Sequence, residues 1–287
     1  MALLTTGLTT GLVIDCGHLE TTVLPVKYMK LKCLLLEHGK LIPPSNLHIS
    51  LTPQVPIPPK LLTPDLLEEL KTRILFCSTT TGTSAINNNN NDTLNERHDI
   101  LSRDQRIEHD KSTSHATDMY YPIQIPITKE KATLLIPGWI REHTMDIVFE
   151  GNDEVDFTGI AHCILNCLLK VPPDIRKAMI GSLLIVGGTA LVPGFHIKLK
   201  QTLLSILQHP TSTEKQLYAP LFGLTQSIQF LDHQQQQSGS IFKSNVRGWI
   251  GGSLVGYLKI SGEEMVKEKF NGSVTDWSIG HWGNASD

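Results

Sequence analysis

Two short turns carry residue types that could handle a phosphate. Asp15-Cys16-Gly17 follows the run Leu12-Val13-Ile14, and Gly187-Gly188-Thr189 follows Leu183-Leu184-Ile185-Val186. A glycine turn lets backbone N–H groups approach phosphate or sugar oxygens, and an aspartate beside it can hold a metal ion through water. Taken singly, each is read more simply as a glycine ending a strand, because a lone glycine pair is a weak pattern. Cys163 and Cys167 lie four apart, with His162 beside Cys163, which is half of a zinc site. No second Cys/His pair follows at a suitable spacing, so the expectation is two small thiols packed in a core. The twelve histidines are dispersed, and Gly-x-Ser-x-Gly, His-Glu-x-x-His and Walker-loop motifs are absent. Nothing here argues for nucleophilic or metal-dependent catalysis.

The elements that must position the turns follow from hydrophobic pattern. Leu12-Val13-Ile14 reads as a buried strand, and Thr21 to Val26 as its hairpin partner, so residues 8–26 are expected to pair with each other. Lys30 to Glu37 suits a short helix, after which six prolines between Pro43 and Pro59 oppose regular structure. Thr63-Pro64-Asp65 is a helix start, followed by Leu66, Leu67, Leu70 and Ile74 at helical spacing. From Ser78 to Asp118 the run Asn87–Asn91 and a polar mixture predict a disordered insertion or mobile loop. Tyr120 to Ile127 regains strand character, confined to an edge by Pro122 and Pro126. Further on, Ile140, Ile147 and Val148 mark one helix, and Ile160 to Leu169 another. A short helix from Pro173, a buried strand at 183–186, a leucine-rich helix to Leu207 and a last helix from Trp249 to Leu258 complete an α/β pattern.

Charge and composition exclude several classes. The 25 Lys and Arg nearly balance the 28 Asp and Glu, leaving −3, which disfavours an electrostatic nucleic-acid binder. No apolar stretch approaches the roughly 18–20 residues of a membrane span, and residues 1–7 lack a signal-peptide layout. Five scattered cysteines suit reduced thiols in the cytoplasm.

Taken in order, the turns resemble those of the actin family. Thr9-Thr10-Gly11-Leu12-Val13-Ile14-Asp15-Cys16-Gly17 is similar to the second phosphate loop. Asp174-Ile175-Arg176-Lys177 with Leu184 to Phe195 is similar to the adenosine motif, and Gly248-Trp249-Ile250-Gly251-Gly252-Ser253 to the tryptophan-glycine-glycine segment. Within the family, Met1 to Gly7, Val23-Leu24-Pro25, Pro172 to Arg176 and Val274-Thr275-Asp276-Trp277 resemble the divergent actin-related proteins at the pointed end of dynactin.

The resemblance implies the actin, heat-shock-chaperone and sugar-kinase fold, represented mainly by its second lobe and therefore incomplete. Residues 1–77 would begin that lobe, 78–118 interrupt it, 119–260 complete it and 261–287 form a tail. It also implies a nucleotide cleft at Asp15, Gly17, His18, Lys71, Gly187, Gly188 and Thr189, for ATP or ADP with magnesium if the other lobe is present. Departures degrade that cleft. His18-Leu19 stands where actins carry Asp-Gly, and Thr72 replaces the acidic neighbour of the adenine-contacting lysine. The first phosphate loop and the water-positioning glutamine would lie upstream of Met1. The implied function is a non-catalytic, cytoplasmic, cytoskeletal subunit. Its partners would be the actin-like filament and pointed-end proteins of dynactin, with no nucleic acid and no membrane span. The alternative is a nucleotide-binding ATPase or switch of the same superfamily.

Overall fold

A computed structural model describes residues 1–8, 10–16, 23–44, 54–78, 103–126, 129–152, 157–231 and 242–259. The strand β1 (Leu12–Asp15) lies parallel to β8 (Leu183–Val186), in the register Leu12↔Leu183 to Asp15↔Val186. All four β8 side chains are buried. Leu183 and Ile185 enter the main core, whereas Leu184 and Val186 pack on the opposite face with Ala2, Leu3 and Leu231. A parallel strand covered on both faces reads as an unbroken apolar run, which is how Leu-Leu-Ile-Val reads.

The expected hairpin over residues 8–26 does not form. Val23–Val26 instead opens α1 (Val23–His38), and β1 finds its partner about 170 residues downstream. Pro25 falls in the first turn of α1, where its missing N–H breaks no helical hydrogen bond. Leu31, Leu34 and Leu35 then supply the i, i+3, i+4 stripe that buries the helix.

A second sheet has the order β3-β2-β5-β4 and is antiparallel throughout. Its strands are β2 (Lys40–Ile42), β3 (Val55–Pro56), β4 (Met119–Gln124) and β5 (Lys131–Ile136). Among them β4 is an edge, as the prolines require, while β5 buries Ala132, Leu134 and Ile136 in strict alternation. Helix α2 (Pro64–Ile74) starts as expected, the Thr63 hydroxyl accepting the Leu66 amide at 3.3 Å.

Residues 79–102 of the polar segment lie outside the described residues. Its remainder departs from the expected disorder. The helix α3 (Arg103–Thr113) is followed by a stretch fastened to α4 (Gly138–His143). The Ser114 hydroxyl donates to the buried Glu142 carboxylate at 2.6 Å, Asp118 accepts the Gly138 amide at 2.9 Å, and Arg141 donates to the Thr117 carbonyl at 2.8 Å. A segment too polar to bury side chains is held here through its hydrogen bonds. The single helix expected around Ile140–Val148 is two, α4 and α5 (Ile147–Glu150), separated by a turn at 144–146.

After the two-residue pair β6 (Gly151–Asn152) and β7 (Phe157–Thr158) come α6 (Ile160–Lys170), α7 (Pro173–Ile180), α8 (Phe195–Gln208) and α9 (Ser212–Tyr218). The last described helix, α10 (Arg247–Leu258), packs on the 3-10 turn Ala2–Thr6. A side chain at Gly251 would run into the Met1 carbonyl, so glycine sets that approach. The opposite face of α10 leaves Trp249 and Tyr257 exposed. Residues 260–287, which include the expected tail, lie outside the described residues.

Candidate functional site

The parallel pairing of β1 and β8 brings both turns to one place, the carboxyl ends of two adjacent strands. In open α/β sheets this is where ligands bind, because the chain splays away there and leaves a crevice. The Cys16 amide donates to the Val186 carbonyl at 2.8 Å, and the Thr189 amide donates to the Cys16 carbonyl at 3.2 Å. The first turn therefore leans directly against the second. Asp15 is exposed at the end of β1, and Cys16 is buried beneath it.

Gly187 adopts φ 95° and opens the 3-10 turn Gly188–Leu191. Its amide donates to the Ser244 carbonyl at 3.1 Å, which ties the approach to α10 into the same junction. Among the described residues no atom lies within 4 Å of where a side chain on Gly188 would begin. The chain then reaches Pro193-Gly194 and meets the end of α2. The Cys77 amide donates to the Pro193 carbonyl at 2.8 Å, and Gly194, at φ 80°, lies against the Cys77 carbonyl.

Of the expected site residues, Asp15, Gly187, Gly188 and Thr189 are thus brought together. Gly17 and His18 lie outside the described residues. Lys71 lies on α2 and forms an ion pair with Glu68 at 2.6 Å, within its own helix. The amides of Gly187 and Thr189 are donated inside the protein, so a phosphate at this junction would draw on other donors. Among the described residues no group of three or more His, Cys, Asp or Glu side chains is poised to hold a metal.

Sequence reasoning missed a polar cluster beneath α4. His143 Nδ1 lies 2.7 Å from Asp146 Oδ2 and 3.7 Å from Asp110 on α3. Lys198 on α8 reaches Asp146 at 3.6 Å, and Lys30 on α1 donates to the His143 carbonyl at 3.0 Å. Burial alone would lower the His143 pKa, but the hydrogen bond to Asp146 and the charges of Asp146 and Asp110 outweigh it, raising the imidazole above 6.5. Burial pushes Asp146 up, and its bond to His143 with the nearby Lys198 charge overcomes this, leaving it below 3.8. For Asp110 burial prevails over His143 and Lys30, and its carboxyl is raised. His143 and Asp146 are three residues apart, but Asp110, Lys30 and Lys198 come from other elements, so spacing along the chain does not show the group.

The thiols expected in a core are not there. Cys163 and Cys167 are both exposed on α6, while Cys16 and Cys77 are buried. His162 turns to Glu214 at 2.8 Å, the same residue that completes the capping box of α9 with Thr211.

Comparison with known proteins identifies the family. The model of the family described as Actin matches residues 61–269, a span that includes the second turn and α10 but not Asp15. The chain belongs to the actin family. It is 28% identical over 205 residues to Actin-related protein 10 of Dictyostelium discoideum, covering 66% of this chain and 34% of that protein. The chain thus spans about a third of the length of the curated relative it matches. No described helix is long and apolar enough to cross a membrane.

Proposed function

We propose that this chain is a non-catalytic, actin-related structural subunit of the dynactin pointed-end complex, supporting dynein-dependent transport in the cytoplasm. The observation that carries this reading is the junction of the two turns. There the amides of Cys16, Gly187 and Thr189 hold β1, β8 and the approach to α10 together. The likeness to an actin-related protein 10 supports the branch of the family, and His18-Leu19 supports the loss of catalysis. The partners are the actin-like filament and pointed-end proteins of dynactin. Affinity capture of the endogenous protein from cytosol, read by mass spectrometry, tests it: dynactin subunits are expected in stoichiometric recovery. Their absence, or steady ATP turnover abolished by Asp15→Ala, would refute the reading.

A second reading, a nucleotide-dependent ATPase or switch with ATP or ADP and magnesium, is favoured by one observation. Asp15 is exposed at the carboxyl end of a parallel strand pair, and the Gly188 turn follows the other strand. Calorimetric titration separates the two: heat of binding at micromolar ATP supports the switch, and none at high micromolar ATP removes it.

A further inference from the structure

The margin of β4 runs beside the start of α2, and the two enclose a cavity of about 260 Å³. Tyr121, Pro122, Ile123 and Gln124 all line it, although alternate residues of a strand point to opposite faces. The cavity therefore follows the edge of the strand rather than one face of the sheet. The Ile125 amide donates to the Glu130 carbonyl at 2.9 Å, so this pair, which continues the β4–β5 register, is turned inward. Opposed residues of an antiparallel pair alternate between inward and outward main-chain groups. Tyr120, Pro122 and Gln124 thus turn theirs away from β5, and among the described residues no strand lies on that side. The Gln124 side chain donates to the Lys129 carbonyl at 3.0 Å, which keeps it within its own hairpin.

The walls decide what fits. Leu61, Leu66, Ile123 and Pro126 make them apolar, while Asp65 and Glu69, one turn apart on α2, stand at the same cavity with no basic side chain in its lining. Asp65 is exposed and has no ion-pair partner among the described residues, and Arg73 meets Glu69 at 3.2 Å. Burial raises the Tyr121 phenol, and the Glu69 carboxylate raises it further against the opposing charge of Arg73, so the groove carries negative potential. The volume falls below the roughly 300–1,000 Å³ of sites that hold a whole small molecule. It suits one long cationic side chain, whose methylenes lie on apolar walls while its head reaches carboxylate. We propose that β4 and α2 form a docking groove for an extended, basic segment of a partner protein. That segment adds to the β4 edge as a strand, and one arginine or lysine fills the cavity with its head at Asp65 and Glu69. A second copy of this chain fits poorly, because two β4 edges laid side by side would each bring Pro122, which has no N–H to give. The groove stands apart from the function proposed above, since it uses neither glycine turn.

Fluorescence anisotropy on the full chain tests this, with a labelled peptide of alternating valine and threonine around one central arginine. Saturable binding is expected, weakened by salt and weaker by roughly tenfold or more when the central residue is glutamate. Asp65→Asn and Glu69→Gln are each expected to weaken it about threefold. Both side chains reach solvent, so circular dichroism should show these variants folded. Pro122→Thr supplies the amide missing from the edge and should tighten binding by about two- to tenfold, a gain that misfolding cannot imitate. In the complex the Tyr120 and Gln124 amides should exchange more slowly. The proposal is overturned by a lack of saturable binding, by equal affinity for the glutamate peptide, or by carboxylate variants that bind as the parent does. It is overturned equally if Pro122→Thr leaves the affinity unchanged or if the two amides exchange as fast as in the free chain.

Discussion

Gly188 and Gly194 sit six residues apart around one junction, and their surroundings assign them opposite roles. Gly194 has a positive φ and lies against the Cys77 carbonyl, so a methyl group there meets both backbone strain and a collision. Gly194→Ala should destabilise the protein by about 2 kcal/mol or more, seen as a lower midpoint in urea unfolding. Among the described residues nothing crowds Gly188, which has no unusual φ, and Gly188→Ala should change stability by no more than about 0.5 kcal/mol. If Gly188→Ala instead alters capture of dynactin subunits while stability holds, the turn is a contact surface. Sequence alone marks both glycines as turn residues. It carries no sign of which one the packing requires, since the Cys77 carbonyl arrives from the stretch after α2, more than a hundred residues earlier.

At the scale of elements, the cluster around His143 joins α1, α3, α4 and α8, and its charge state decides how firmly α3 is held. The imidazole is raised above its ordinary 6.5, so its protonation stabilises the fold. That contribution is complete below pH 6.5 and fades as pH rises through the raised value. Asp146, depressed below 3.8, contributes above that pH and loses its contribution as pH falls through its lowered value. Hydrogen exchange of α3 amides should therefore quicken on going from pH 6 to 8.5 beyond the intrinsic rate increase. In His143→Gln that excess should vanish; an excess that persists would show that α3 is held by something else.

Elements with strong local signals were legible in advance. Thr63-Pro64-Asp65 announced α2, the four apolar residues at 183–186 announced β8, and Pro122 announced an edge. Those settled by distant partners were not. The β-prone Val23-Leu24 became helix because Leu31, Leu34 and Leu35 downstream fix the helical period, and residues 114–118 are held by hydrogen bonds to α4. The candidate site was half legible for the same reason. Asp15 and the Gly187 turn were recognisable as turns, but only the β1–β8 register shows that Thr189 binds Cys16.

For the whole molecule, the approach of α10 to the turn Ala2–Thr6 closes the described chain on itself. Gly251→Leu should force that turn off α10 by clashing with the Met1 carbonyl. Because Ala2 and Leu3 cover Leu184 and Val186, exchange protection of β8 is expected to fall while that of α2 does not. An unchanged β8 would mean that the small cluster on its outer face contributes little.

The pairing of β1 with β8 also sets a schedule for synthesis. A ribosome adding about 5–20 residues per second needs roughly 10–35 s to deliver β8 after β1 has emerged. For that interval Leu12-Val13-Ile14 waits for β8, its partner strand among the described residues. Nascent chains should therefore engage holding chaperones early and release them late, once residues near 190 have cleared the exit tunnel.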